Sequence, residues 1–158
     1  MKADLYDELA RQTRGLLDGE RDLIANAANF AALIWQIVPD LNWAGFYFLK
    51  GGELVLGPFQ GKPACVRIQV FPQPRGVCGA AAFQNKTQLV SNVHEFPGHI
   101  ACDSASNAEI VVPLVAHGKV FGVLDVDSPS LNRFDQEDRA GIEQLVATFL
   151  RMTDAPAH

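Results

Sequence analysis

The chain has 158 residues, of which 48% are hydrophobic and 20% charged, and this composition predicts one globular domain with a sizeable core. The net charge is -5 and the Lys and Arg residues are scattered, so neither nucleic acid nor an anionic membrane surface is an expected partner. An N-terminus charged within its first four residues and the lack of a long apolar run argue against a signal peptide or membrane anchor, and we expect a cytoplasmic protein. Three cysteines, an odd number, do not form a disulfide framework, and this favours a function based on thiol chemistry.

Two helices are predicted at the start of the chain. Residues 3–17 form a modest amphipathic helix that ends near the Asp18-Gly19 turn signal. From about Glu20 to Val38, apolar residues recur at helical spacing until Pro39 stops the pattern, which predicts a core helix. The chain is therefore expected to have three parts: an N-terminal helix (1–19), a main domain (20–151) and a disordered tail (152–158).

From Asn42 the hydrophobic period changes to two, which indicates a strand. One face is expected to carry Trp43, Gly45 and Tyr47, and the other Ala44, Phe46 and Phe48. Because Gly45 has no side chain, we predict a hollow between two aromatic rings, suited to a small ligand. A bulge or a close helix crossing explains such a glycine at least as often. A turn at Lys50–Gly52 leads into a second strand, Glu53–Leu56.

The first two cysteines lie on either side of a proline-rich loop. The predicted elements are a short strand (Cys65–Val70), a loop (Phe71–Gly76) and a short helix (Val77–Gln84). Cys78 would then lie in the first helical turn, where backbone N–H groups are expected to stabilise its thiolate. The glycines of RGVCG lack the lysine and the preceding strand of a phosphate-binding loop, so that function is excluded.

The third cysteine lies in a long polar loop, Ser91–Asn107, after a predicted short strand from Gln88 to Val90. Within the stretch GHIACDSASNAE, Cys102 is flanked by Asp103 and by turn-forming residues rather than by apolar ones. This setting favours a reactive thiol over a buried structural one. The alternative is that Cys102 is one more small half-buried residue and that the acids only keep the loop soluble.

Two apolar strands, Ile110–Ala116 and Lys119–Asp127, follow as a hairpin and are expected in the middle of the sheet. Alternation places Val120, Gly122, Leu124 and Val126 on one face, and Phe121, Val123, Asp125 and Asp127 on the other. Buried carboxylates need a partner or a proton, so the two acids indicate a ligand, unless the strand frays and both are solvated. A closing helix capped by Asp135 runs to Leu150.

This order of elements predicts an α+β fold with one central, mainly antiparallel sheet and helices packed on it. Four ordered motifs, GKPACVRI, RGVCG, HIACDSASNAEIVVPL and GVLDVDS, closely resemble those of the free methionine-(R)-sulfoxide reductases, small enzymes with a GAF-like fold. The resemblance covers about Glu20 to Leu150 and makes 20–151 a GAF-like catalytic domain. The segment VFPQP (70–74) departs from the family pattern and looks like an insertion between the first two cysteines.

The resemblance implies that Cys102 is the nucleophile that attacks the sulfoxide sulfur. Cys65 and Cys78 are then the candidates to resolve the sulfenic acid as a disulfide. We expect Cys65 to do so, because a cysteine in a helix turn is less free to move. The substrate would be free methionine sulfoxide and the reductant thioredoxin, with no metal and no organic cofactor. The oligomeric state stays open, a homodimer included.

The family's pocket positions match acids and aromatic residues of this chain: Glu109, Asp125, Asp127, Trp43 and Tyr47. A sulfoxide is a poor electrophile until its oxygen is protonated, and clustered carboxylates raise one another's pKa so that one can hold the proton. We expect Glu109 and Asp127 to activate the oxygen and Asp125 to help hold the substrate ammonium.

Three other interpretations of the sequence are less favoured. A non-catalytic GAF sensor of small molecules or redox state would have no need of three clustered cysteines. A metal site built from His94, His99, Cys102 and a further cysteine fits no compact zinc spacing. A Cys-His hydrolase is disfavoured because His99 lies only three residues before Cys102 and nothing marks an oxyanion hole.

Overall fold

The computed structural model describes residues 1–100, 102 and 104–157. Over these residues, four α-helices and six strands are formed, with a 3-10 helix at Val93–Glu95. In chain order they are α1 (Lys2–Leu17), α2 (Leu23–Ile37), β1 (Trp43–Lys50), β2 (Glu53–Gly61), β3 (Arg67–Gln69), α3 (Gly76–Gln84), β4 (Gln88–Val90), β5 (Ala108–Ala116), β6 (Lys119–Ser128) and α4 (Gln136–Arg151).

The strands form one sheet in the order β3-β2-β1-β6-β5-β4, and every neighbouring pair is antiparallel. This confirms the predicted α+β fold with a central antiparallel sheet, and β5 and β6 lie inside the sheet as expected. Their hairpin turns at His117-Gly118, where both residues have positive φ. In the described part of the chain, no helix has both the length and the apolar character that a bilayer crossing requires.

The sheet has apolar clusters on both faces. One cluster packs against α1, α2 and α4 and includes Phe46, Leu124 and Val126; we call this the helix-side face. The other cluster packs against α3 and the loops and includes Trp43 and Tyr47; we call this the cavity-side face. The alternation predicted for β1 is therefore confirmed, because successive side chains of a strand point to opposite faces.

The alternation predicted for β6 is wrong at its start. Leu114 pairs with Gly122 but Val115 pairs with Val120, so Phe121 is an extra residue in a β-bulge. As a result Phe121 belongs to the helix-side face and Val120 packs at the cavity-side face, the reverse of the expectation. After the bulge the predicted pattern holds.

The predicted hollow at Gly45 is also wrong. A Cβ atom at this position would lie 2.7 Å from Phe59 Cα, and the ring of Phe59 stacks on Trp43 with 5.2 Å between centroids. The register of β1 on β2 shifts between Gly45 and Tyr47. Gly45 thus lies at a β-bulge where the paired strand β2 approaches closely, and a bulge was one of the two alternative explanations of this glycine.

Both chain ends are held by α4 and α2. Asp135 caps α4, and the buried Asp138 accepts hydrogen bonds from Tyr6 Oη at 2.7 Å and Lys2 Nζ at 2.8 Å, which fasten α1. In the C-terminal segment, Thr153 is buried and its hydroxyl accepts a hydrogen bond from Asn26 Nδ2 at 3.0 Å. The first residues of the segment 152–158 therefore pack on the domain.

Candidate active site

Three carboxylates lie together on the cavity-side face of the sheet. Glu109 on β5 pairs directly with Asp127 on β6, and Asp125 lies two residues earlier on the same face. The exposed fractions of Glu109, Asp125 and Asp127 are 7%, 5% and 8%. The sequence pattern predicted that the two β6 acids point inward, and their burial confirms it. Buried carboxylates at this spacing repel one another unless they hold protons or a cation.

Two aromatic side chains of β1 stand beside the acids. Trp43 pairs with Asp127 across β1 and β6, and its ring stacks on Tyr47 with 5.8 Å between centroids. Trp43 Nε1 donates a hydrogen bond to the Lys62 carbonyl at 3.2 Å, and Tyr47 Oη donates one to the Cys65 carbonyl at 3.0 Å. The polar atoms of both rings therefore hold the 62–65 segment in place next to the acids.

Cys65 and Cys102 form a disulfide with their Cα atoms 5.4 Å apart. The bond joins the segment after β2 to the loop before β5, across 37 positions of sequence. This is the pairing expected from the sequence, in which Cys65 rather than Cys78 is the partner of Cys102. Asp103, the acid that flanks Cys102, lies outside the described residues.

Cys78 is the free cysteine, and it is buried in the first turn of α3. Its Sγ donates to Glu109 Oε2 at 3.8 Å. Burial, and then the charges of Asp125 and Glu109, raise the pKa of the Cys78 thiol well above its ordinary value. The predicted thiolate at this position is therefore wrong, because desolvation and the neighbouring acids outweigh the helix N-terminus. Cys78 is a neutral thiol.

The electrostatics of the acid cluster favour bound protons. Burial raises the pKa of the Asp125 carboxyl well above its ordinary value, and the charges of Asp127 and Glu109 act in the same direction. Burial, and then the charge of Asp125, likewise raises the pKa of Tyr47. Among the described residues, Asp125 Oδ1 is buried without a hydrogen-bond partner. A carboxylic acid that keeps its proton at neutral pH is what sulfoxide activation requires.

A small cavity brings these groups together. Its volume is about 40 Å³, far below the roughly 300 Å³ of the smallest typical small-molecule pockets. The predicted site residues that line it are Trp43, Tyr47, Cys78, Cys102, Glu109, Asp125 and Asp127, and Cys65 adjoins it through the disulfide. In the disulfide form, the cavity is therefore too small to hold an amino acid.

Other residues also line the cavity, and the sequence pattern did not assign them to the binding site. Arg75 is exposed and immediately precedes α3, and Ile100 packs over Gly76 at the start of that helix. His99, considered above only as a metal ligand or a base, lines the cavity, and within the described part of the chain its Nδ1 has no hydrogen-bond partner. His94, its suggested metal partner, instead has Nε2 2.9 Å from Asn107 Oδ1. Arg75 lies near the end of the proline-rich loop, and this position was the only feature of the sequence that could have marked it as a site residue.

Comparison with known proteins identifies the family. The GAF domain family matches residues 25–150, a span that includes all three cysteines and all three acids. The chain is 52% identical over 146 residues to the free methionine-R-sulfoxide reductase of Escherichia coli, a match that covers 92% of this chain and 87% of that protein. The likeness to that reductase therefore extends over nearly the whole chain.

Solved structures agree with the sequence comparison. A Burkholderia vietnamiensis protein described as a putative GAF sensor is 60% identical with a TM-score of 0.92, and the match covers 97% of this chain and 96% of that one. The free methionine-R-sulfoxide reductase of Neisseria meningitidis, in complex with its substrate, is 42% identical with a TM-score of 0.91, and the match covers 96% of this chain and 90% of that one. The chain therefore belongs to the GAF-domain family of free methionine-R-sulfoxide reductases.

Proposed function

We propose that this protein reduces free L-methionine (R)-S-oxide to L-methionine through Cys102, with thioredoxin as the electron donor. The observation that carries the proposal is the Cys65–Cys102 disulfide beside a buried cluster of three acids. A disulfide is the oxidised product of a thiol reductase cycle, and the acids supply the proton that the reaction consumes. The activity named for the E. coli relative supports the choice of substrate.

The first step takes place in the reduced protein. The Cys102 thiolate attacks the sulfur of the sulfoxide while a carboxylic acid of the cluster protonates the oxygen. The sulfur–oxygen bond of the substrate breaks, and the protonated oxygen is transferred to Cys102 Sγ. Methionine leaves, and Cys102 becomes a sulfenic acid. The substrate gains two electrons and Cys102 loses them, so this step needs no outside reductant.

The second step resolves the sulfenic acid. The thiol of Cys65 attacks Cys102 Sγ, water leaves, and the Cys65–Cys102 disulfide forms. A dithiol protein then reduces this disulfide by thiol exchange, and we assign that role to thioredoxin. Cys78 takes no part in this scheme, because its thiol is buried, neutral and bonded to Glu109.

Charge complementarity supports a free amino acid as the substrate. The buried carboxylates suit an ammonium group, which would replace the water that they lose on folding. Arg75, exposed beside the cavity, offers a partner for the substrate carboxylate. A peptide-bound methionine sulfoxide has neither charge at its α-carbon, so the site would favour the free amino acid.

The roles of the individual acids follow from their surroundings. From the sequence, Glu109 and Asp127 were expected to activate the oxygen while Asp125 helps to hold the ammonium, and this division stays a prediction. The raised pKa of Asp125 favours Asp125 instead as the carboxyl that keeps its proton near neutral pH. Substitution of each of the three acids in turn separates their roles.

The alternative function is a non-catalytic GAF sensor. One structural relative is described as a putative GAF sensor, and this description supports the alternative. The disulfide next to buried acids favours catalysis, because a site that only binds a ligand has no use for a redox-active pair beside it. A redox sensor would form the disulfide with a general oxidant and would show no preference between sulfoxide epimers.

A coupled assay tests the proposal. NADPH oxidation is followed with thioredoxin, thioredoxin reductase and either the R or the S epimer of free methionine sulfoxide, and a parallel assay uses dithiothreitol as the only reductant. We expect turnover with the R epimer in both assays and none above background with the S epimer. Turnover with dithiothreitol but not with thioredoxin would overturn thioredoxin as the partner, whereas failure with both reductants would overturn the reductase function itself.

A further inference from the structure

The buried thiol of Cys78, which the proposed cycle does not use, faces two buried carboxylates. Its Sγ lies 3.8 Å from Glu109 Oε2. One ligand atom from each of Cys78, Glu109 and Asp125 lies within 4.8 Å of the other two, and all three residues are buried. This set is distinct from the grouping of His94, His99 and Cys102 that was considered from the sequence.

A second observation points to a ligand in the middle of this set. Within the described residues, Asp125 Oδ1 is buried and has no hydrogen-bond partner, although the residue is only 5% exposed and lines the cavity. A buried carboxylate oxygen without a partner is costly, so the site is built for a positively charged or hydrogen-bond-donating occupant.

The size of the cavity and the presence of sulfur identify the class of occupant. In the disulfide form, about 40 Å³ is available, which suits a single ion and its water but not an amino acid. An ammonium ion would gain nothing from the thiol, whereas Zn²⁺ binds thiolate and carboxylate ligands together. Magnesium and calcium prefer sites made of oxygen ligands alone, so the sulfur selects against them.

The distance between the sulfur and one carboxylate oxygen is close to that expected for two ligands of a tetrahedral ion. With Zn–S of about 2.3 Å and Zn–O of about 2.0–2.2 Å, the sulfur and oxygen ligands of one ion lie roughly 3.5 Å apart. The distance from Cys78 Sγ to Glu109 Oε2, 3.8 Å, is close to this value. We propose that the disulfide form of the protein binds one Zn²⁺ through Cys78, Glu109 and Asp125, with water in the fourth position. The proton of the Cys78 thiol and that of the Asp125 carboxyl are released when the ion binds.

Co²⁺ is used as the probe in place of Zn²⁺. A cobalt–thiolate bond produces a near-ultraviolet charge-transfer band, whereas a zinc–thiolate bond does not. The disulfide form is used, since Cys78 is then the only free thiol of the three cysteines. The protein is incubated with CoCl₂ and, in parallel, refolded from urea in its presence, which removes any barrier to entry into the cavity. We expect one Co²⁺ per chain, the charge-transfer band, and loss of the band when ZnCl₂ is added. No band after refolding would overturn the proposal.

Substitutions assign the ligands. Cys78→Ser is expected to abolish the band, and Glu109→Gln and Asp125→Asn to weaken Co²⁺ binding at least about tenfold each. Asp135→Asn is the matched control, because Asp135 is an exposed carboxylate at the start of α4, and we expect it to bind Co²⁺ like the unaltered protein. A band that persists in Cys78→Ser, or equal binding by all four variants, would show adventitious surface binding and overturn the site. Binding of the ion does not depend on the reductase activity, so the two proposals fail separately.

Discussion

The two faces of the sheet use the same strands for opposite purposes. On β6, Leu124 and Val126 point to the helix-side face and are fully buried among apolar side chains, whereas Asp125 and Asp127 point to the cavity-side face and are almost as deeply buried. Apolar burial stabilises the fold, while buried carboxylates oppose it. Along β6, side chains that stabilise the fold therefore alternate with side chains that line the candidate active site.

The same contrast occurs on β1. Phe46 packs against Phe30 and Phe149 with ring centroids 6.0 and 5.1 Å away, a purely apolar arrangement on the helix-side face. On the other face, Trp43 and Tyr47 also stack, but each donates a hydrogen bond to the segment that carries Cys65. Aromatic rings on one face therefore fill space, and those on the other also position the segment that carries Cys65.

The largest effect is expected on the cavity-side face at the nucleophile. Cys102→Ser should lower kcat/KM for free methionine sulfoxide by at least roughly a thousandfold, because the attacking sulfur is lost, and should leave the melting temperature of the reduced protein unchanged. Cys65→Ser is the matched control, which should still reduce one equivalent of substrate but should stop turning over with thioredoxin. Full activity of Cys102→Ser would contradict its assignment as the nucleophile.

The next effect concerns the substrate charge. N-acetylation removes the ammonium and leaves the buried carboxylates without it, so kcat/KM should fall by about tenfold to several hundredfold. The methyl ester of methionine sulfoxide keeps the ammonium and serves as the control, which should lose less. Comparable kcat/KM values for free and N-acetylated methionine sulfoxide in the coupled assay would show that the acids do not bind an ammonium group.

A pair of neighbouring substitutions tests the separation of the two faces. Leu124→Ala should lower the free energy of unfolding by about 2–5 kcal/mol, because it leaves a cavity in the helix-side core. Asp125→Asn should not lower that free energy, since the side chain keeps its volume, but should lower kcat by about a hundredfold if Asp125 donates the proton. Urea unfolding and steady-state kinetics on both variants measure the contrast. An equal loss of stability in the two variants would contradict the conclusion that the two faces serve different purposes.

The smallest effect is the pH dependence of stability. The pKa of Asp125 is raised in the folded state, so this group binds a proton more readily folded than unfolded. Its contribution to stability is therefore fully present below the pKa of an unfolded aspartate, about 3.9, and is lost as the pH rises toward the higher folded value. Asp125→Asn removes this dependence, so urea unfolding should find the variant gaining stability relative to the unaltered protein between about pH 4 and pH 8. A constant difference across that range would contradict the raised pKa.

Much of the site could be predicted because its residues follow local patterns. Period-two alternation placed Trp43, Tyr47, Asp125 and Asp127 on inward-facing positions, and all four are buried. The structure then required corrections where a residue from elsewhere intervened. Phe59 fills the space over Gly45, and no pattern within β1 could reveal how closely the paired strand β2 approaches at this point.

The sequence by itself determined the order of elements, the antiparallel sheet and the strand faces that carry acids, because periodicity and turn residues act over a few neighbouring positions. Only the tertiary structure decided the protonation of Cys78, which a helix N-terminus alone would have made a thiolate. Burial and the charges of Asp125 and Glu109, the nearer of which lies 31 positions away in sequence, reverse that local preference. The pKa of a buried group is set by everything packed around it, and that surrounding exists only in the folded chain.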